Sequence, residues 1–246
     1  MSKTRRQILI EEAKAFLPSQ PIPSWLNPKM EVMWWKEDGT SQESFNQFLM
    51  ASFNSLRGVA PTIPLKSIVE VLSNSMVETG RGARAVGHNL GGWKLRKQGA
   101  TQETRFWRAP GHVASGDEAV CYYQVFDSDA AFYQTWLTKF VPKETSEKRY
   151  KECGKLFHEG KDWFPALIQG GYKGEVTKAN PDASIRSHQA MTNEMCVRLV
   201  QMLAGIADKS VDGDWGAGTS AAVKAKLGKD MKDDKPFEAL SLLLKQ

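Results

Sequence analysis

Glu78 is the residue in this sequence best placed to move a proton. It closes a run from Leu65 to Glu78 that opens after Pro64 and stops at Gly80 and Gly82, the signature of a helix with a proline entry and a glycine exit. At about 100° per residue, Glu78 lies near Val71 and well off the stripe of Leu65, Ile68, Val69, Leu72 and Met76, so it faces sideways from the packing surface. The final turn is the negative end of the helix dipole, where a carboxylate is disfavoured and its proton is kept more easily, and a partly dry cleft would push the same way. Those are the properties of a general acid near neutral pH. The same position also suits a solvated glutamate neutralised by Arg81 or Arg84.

Other chemistries find less to work with. His88, His112, His158 and His188 lack the His-Glu-x-x-His spacing of a zinc hydrolase. Cys121, Cys153 and Cys196 are odd in number and far apart, which supplies neither a disulfide framework nor a paired-thiol motif, and no local text marks one as a nucleophile; they read as buried thiols. No phosphate-cradling glycine loop of the Walker type is present, so nothing calls for a cofactor.

The elements that must position Glu78 follow from periodicity. Ile8 to Leu17 and Ser44 to Leu56 read as helices, separated by Pro18, Pro21, Pro23 and Pro28; Trp34 and Trp35 read as packing residues. Aromatic and β-branched runs between Gly99 and Phe126 surround a glycine-rich turn and read as an antiparallel hairpin. Helical spacing returns over Ala130 to Phe140, Glu147 to Phe157, Trp163 to Ile168 and Met191 to Ala204. The fold class is α+β, mostly helical, with one small hairpin. The 246 residues carry 33 Lys+Arg against 28 Asp+Glu, an ordinary globular balance, and no run of roughly 18 apolar residues could span a membrane. From Thr79 to Arg108, however, Arg81, Arg84, Lys94, Arg96, Lys97, Arg105 and Arg108 face only Glu103, a local field that favours an anionic partner such as nucleic acid, an acidic lipid surface or a carboxylate-bearing polymer.

Glu78-Thr79-Gly80, followed ten residues on by His88-Asn89-Leu90-Gly91-Gly92-Trp93-Lys94, resembles the glucosaminidase-type peptidoglycan hydrolases, glycoside hydrolase family seventy-three, whose core reads Glu-Ser-Gly and then Asn-Leu-Phe-Gly-Ile-Lys. Gly91 stands where that family has phenylalanine and Trp93 where it has an aliphatic residue. Tyr123 to Asp129 and Trp163 to Tyr172 resemble two later elements in the same order, although Lys173-Gly174-Glu175 departs from the Ala-Thr-Asp that follows the family's tyrosine. The likeness covers about Pro61 to Tyr172.

What the resemblance implies is a lysozyme-like domain with Glu78 as catalytic acid and Tyr172 lining the site. Asn89, Trp93, Lys94, Trp107 and Tyr122 are then candidates for substrate binding, the aromatic ones flanking a sugar groove or simply packing the hairpin. The second carboxylate usually sits on the hairpin in this family; Glu103 is the candidate carried here, with Asp117 and Glu118 as alternatives. A separation of about 5–5.5 Å from Glu78 would make it a nucleophile and about 6.5–9.5 Å would admit a water, while the substrate's own 2-acetamido oxygen, positioned by Tyr172, offers a third route.

Val197 to Leu203 and Val211-Asp212-Gly213-Asp214-Trp215-Gly216-Ala217-Gly218-Thr219 resemble the small three-helix peptidoglycan-binding module, with Thr219 placed to cap the helix that follows. A calcium loop on Asp208, Asp212 and Asp214 is the competing reading, but Thr219 stands where the bidentate glutamate belongs. The division expected is 1–60 of unknown role, 61–185 lysozyme-like, and 186–246 wall-binding. The function expected is an N-acetylglucosaminidase acting on peptidoglycan as its partner polymer. Muramidase specificity, or a catalytically silent wall-binding or nucleic-acid-binding protein, are the rivals. The N-terminal text lacks a signal peptide, so delivery to the wall by a phage lysis system or a contact-dependent machine is expected, with a cognate immunity protein in the second case.

Overall fold

The structure is a computed structural model that describes residues 11, 22–26, 45–82, 85–95, 105–112, 118–142, 148–173, 177, 179–231, 233 and 235–246. Among these residues the protein is mostly helical with one two-stranded antiparallel hairpin. The helices are α1 (Phe45–Val59), α2 (Leu65–Glu78), α3 (Asp129–Phe140), α4 (Lys151–His158), α5 (Phe164–Gln169), α6 (Asp182–Leu203), α7 (Ala217–Leu227) and α8 (Pro236–Leu243); the strands are β1 (Phe106–His112) and β2 (Glu118–Gln124). The described residues fall into two compact units, one drawn from Met1–Glu43 and Glu78–Phe132, the other from Ser44–Val77 and Tyr133–Gln246. The helix expected over Ile8 to Leu17 lies, Glu11 apart, outside the described residues, as do Trp34 and Trp35. No helix among the described residues is long and apolar enough to cross a membrane.

Helix α2 departs from the one-sided helix its stripe suggests, because every residue from Ser67 to Met76 is buried. The stripe supplies one face, and Ser67, Ser73 and Ser75 let neighbours close in on the others. Their hydroxyls do not stay orphaned: Ser67 donates to the Phe157 carbonyl at 2.7 Å and Ser73 to the Val69 carbonyl at 2.7 Å. Glu70, also buried on this helix, is ion-paired to Lys66 at 2.6 Å. Burial pushes its carboxyl above the usual range against the pull of Lys66.

In the second unit, α6 starts at Asp182, nine residues before the Met191 expected from periodicity. The first turns carry Ala183-Ser184-Ile185-Arg186-Ser187-His188, too polar to show an apolar stripe, and His188 alone turns inward at 3% exposure. Pro181 sets the helix entrance instead, its carbonyl accepting from the Ile185 N–H at 3.0 Å. Helix α1 packs on α6, where Arg198 reaches the Asn46 side chain at 3.0 Å and Asn46 donates to the Asp208 carbonyl at 3.1 Å.

The loop between α6 and α7 overturns one expectation. Thr219 is not a cap: Gly216 holds the N-cap position of α7 without a side-chain bond, and Thr219 sits inside the first turn, buried. Gln201 draws it there. Buried on α6, Gln201 accepts from the N–H groups of Asp212 (3.2 Å) and Gly213 (3.0 Å) and donates to Asp212 Oδ1 (2.7 Å), the Asp214 carbonyl (3.0 Å) and Thr219 Oγ1 (3.0 Å). The amide of Gln201, with the Asp214 N–H behind it, holds the Asp212 carboxyl below its ordinary range. Replacing Gln201 by leucine takes the partner from the buried Gly213 N–H and Thr219 hydroxyl and is expected to cost about 2 kcal/mol. Hydrogen exchange would show it as protection lost over residues 211–219 first.

Candidate functional site

Glu78 is the last residue of α2 and is half-buried, with Oε1 shielded from solvent. The chain then reverses through Gly80, Arg81 and Gly82, all in the left-handed region at φ of 57°, 60° and 81°. Arg81 is the costly member, since a side chain there meets steric resistance that glycine escapes. Thr79 beneath it is fully buried and accepts from the Gly82 N–H at 3.0 Å, which holds the reversal closed.

Next in the same unit comes the segment from Val86 to Leu95. Asn89 is 2% exposed, and its amide is taken up by the loop itself: it accepts from the Trp93 N–H at 2.8 Å and donates to the carbonyls of Trp93 (2.8 Å) and Gln124 (2.9 Å). Its work is therefore to hold Trp93 and the loop against β2. Trp93 and Leu95 continue the attachment, Gln124 N–H donating to the Trp93 carbonyl at 2.9 Å and Leu95 N–H to the Tyr122 carbonyl at 2.6 Å, with Lys94 bridged to Tyr123 and exposed. Pro110 is tolerated in β1 because, among the described residues, its strand has β2 on one side and no strand on the other.

Gly91 and Trp93, the two residues that set this segment apart from the motif it resembles, prove to be one physical fact. A Cβ at position 91 would lie 2.8 Å from Trp93 Nε1 and 3.0 Å from Phe132 Cζ, so the indole occupies the room a side chain at 91 would need. Trp93 packs against Phe132 at 5.4 Å and Phe126 at 5.9 Å between ring centroids and remains half-buried. Beside it, His88 Nδ1 meets Asp129 Oδ1 at 2.7 Å, tying the loop to the start of α3, with His88 itself held at φ 54°. Sequence reading missed this pair because its partners are 41 residues apart.

The hairpin divides the remaining aromatic candidates. Arg108 pairs with Tyr122 and Trp107 with Tyr123, and paired residues share a face while neighbours alternate. Trp107 and Tyr122 consequently project from opposite faces and cannot line one side of a groove together. Trp107 is 6% exposed and belongs to the packing. Tyr122 is half-buried, edge-on to Phe106 at 5.8 Å and to Trp25 at 6.2 Å. Glu103 and Asp117 lie outside the described residues, and of Glu118 the backbone is described, pairing with His112 at the end of the hairpin where β1 stops and β2 begins. Of the basic stretch, Arg105 is bound to Asp127, Arg81 and Lys94 are exposed, and Arg84, Arg96 and Lys97 lie outside the described residues.

Tyr172 belongs to the second unit. Its ring is wedged against Phe140 at 4.9 Å and Trp136 at 6.4 Å, both edge to face, and its hydroxyl accepts from Asn74 Nδ2 at 2.8 Å. Sequence reading singled out Tyr172 and overlooked Asn74, whose only signal was a polar amide in the middle of a buried helix. No group of three or more histidines, cysteines or carboxylates among the described residues is arranged to hold a metal ion.

No protein-family model matches the chain. No curated protein matches it either. Among solved structures it is similar to a crystal structure of a peptidoglycan hydrolase mutant from Sphingomonas sp. A1, with 19% sequence identity, a TM-score of 0.43, and coverage of 60% of this chain and 92% of that one.

Proposed function

We propose that this protein is a peptidoglycan hydrolase that cleaves the β-1,4 glycosidic bonds of the glycan strand as an N-acetylglucosaminidase, with Glu78 as general acid. One observation carries the reading: a carboxylate with a solvent-shielded oxygen ends a helix buried along its length, and the glycine-ruled Asn89–Lys94 loop and the hairpin follow it in the order the sequence motifs require. Glu78 protonates the departing glycosidic oxygen while positive charge grows on the sugar ring. Tyr172 positions the 2-acetamido group, whose oxygen meets that charge, with Glu103 as the candidate second carboxylate. Trp93, Lys94 and Tyr122 offer the sugar-facing aromatic surface and positive charge of the first unit, the latter suited to the lactyl and peptide carboxylates of the polymer. The 186–246 segment adds wall affinity and so raises local substrate concentration without new chemistry.

Purified sacculi incubated with the protein will lose turbidity, and mass spectrometry of the reduced products will find N-acetylglucosamine at the new reducing ends. N-acetylmuramic acid at those ends would transfer the protein to the muramidases with the same acid. Sacculi that stay intact would end the enzymatic reading and leave a wall-binding protein.

A further inference from the structure

Glu70 and Asn74 stand one turn apart on the same side of α2, 5% and 1% exposed. Lys66 donates to Glu70 Oε1 at 2.6 Å, and Asn74 Nδ2 donates to the Tyr172 hydroxyl at 2.8 Å. The second oxygen of each, Glu70 Oε2 and Asn74 Oδ1, is buried without a hydrogen-bond partner among the described residues. Two fully buried indoles carry the complementary need: Trp136 Nε1 on α3 and Trp163 Nε1 at the N-cap of α5 have no acceptor there either. Each such group taken alone weighs against the folded state.

The four atoms belong to one closed ring of side chains, all in the same compact unit. Burial raises the Glu70 pKa, and the Trp163 indole, with Lys66, faces the carboxyl closely enough to draw it partly back, yet closes no hydrogen bond to it. Trp163 packs against Trp136 at 5.8 Å between ring centroids, and Trp136 against Tyr172 at 6.4 Å. Tyr172 is bonded to Asn74, and Asn74 returns to Glu70 along α2. Two N–H donors and two oxygen acceptors are the complement of a single water, which has two lone pairs and two protons. A cation would meet the two N–H groups, an anion would meet the Glu70 carboxylate, and an apolar guest would leave all four unmatched. We propose that this ring binds one internal water, which accepts from Trp136 and Trp163 and donates to Glu70 Oε2 and Asn74 Oδ1. The water ties α2 to α3 and to the entrance of α5 through one shared point, and the site does not depend on the role given to Glu78.

Both indoles are fully buried, so bulk solvent does not reach their N–H protons and magnetisation passed to them from water reports an internal molecule. Rotating-frame cross-relaxation on the full chain is expected to give water cross-peaks at both indole N–H protons. They are assigned through the ring contacts of Trp136 with Phe140 and of Trp163 with Phe157. The cross-peaks are expected to persist in Tyr172→Phe, where the labile hydroxyl of the ring is gone. Oxygen-17 relaxation dispersion, which labile protons cannot imitate, is expected to lose one long-lived water in the Glu70→Met, Asn74→Leu double variant, whose site keeps donors alone. Either comparison decides the matter should the variant of the other fail to fold. Cross-peaks missing at either indole, cross-peaks that vanish in Tyr172→Phe, or an unchanged dispersion in the double variant would each overturn the assignment.

Discussion

Glu78→Gln will abolish murein hydrolysis in any practical assay, lowering the rate by about 10³-fold, in the middle of the range a positioned general acid contributes. The substitution keeps the shape and the hydrogen-bonding reach of the side chain and removes only its capacity to deliver a proton. Because Glu78 is the terminal residue of α2 and half-buried, an amide there neither opens a cavity nor buries a charge, so the fold should be indifferent. The measurement is the initial slope of turbidity loss by purified sacculi, with near-ultraviolet circular dichroism as the control for packing. Arg81→Ala supplies the opposite control. If Glu78 served only to neutralise that exposed arginine, both variants would retain the parental slope, and the catalytic assignment would be withdrawn.

A second large effect is expected in acid. His188 is buried on α6 with its ring stacked on Phe164 at 3.7 Å and edge-on to Trp163, its Nε2–H donating to the Glu70 carbonyl at 2.9 Å. Burial pushes its pKa down to about 4, with Lys173 and Lys66 adding to the depression and the Glu70 carbonyl opposing it. The unfolded chain takes up this proton near the ordinary value of 6.5, whereas the folded chain resists it until about 4. Between those values the unfolded state binds more protons, so stability falls as pH falls, by about 3 kcal/mol across the window. Glu70 acts in the other direction, since its raised pKa lets the folded chain accept a proton more readily as the solution is acidified. Urea midpoints at pH 7.5 and 4.5 for wild type and His188→Gln separate the two: the variant should be weaker at neutral pH and markedly less sensitive to acid. Equal pH slopes would show that His188 takes up its proton at the same pH in the folded and unfolded chain, and would remove burial as the cause of the acid sensitivity.

These predictions draw unequally on sequence and on structure. The helix ending at Glu78 was legible because its limits are local backbone matters. Proline opens it, glycines in left-handed conformations close it, and both act on dihedral angles of residues adjacent in the chain. The hairpin and the helix α3 announced themselves for the same reason. Even the exchange between Gly91 and Trp93 could be seen as two odd residues in one short motif, although nothing in the text said that one ring filled the space of the other.

Where side chains meet across long stretches of chain, only the tertiary structure decided. Asn74 and Tyr172 are 98 residues apart, and Glu70 and His188 are 118 apart, separations at which no periodicity links two positions. The pairing register of the hairpin, not the composition of its strands, put Trp107 and Tyr122 on opposite faces. Gln201, a residue without any motif, pulled Thr219 out of the capping role that its place after a glycine turn suggested. The amino-acid order alone thus determined where the backbone turns and which carboxylate closes the helix, because those depend on neighbours in the chain. Which amide steadies which hydroxyl, and which imidazole is dried out, depend on neighbours in space, and burial assigns those only when the whole chain has packed.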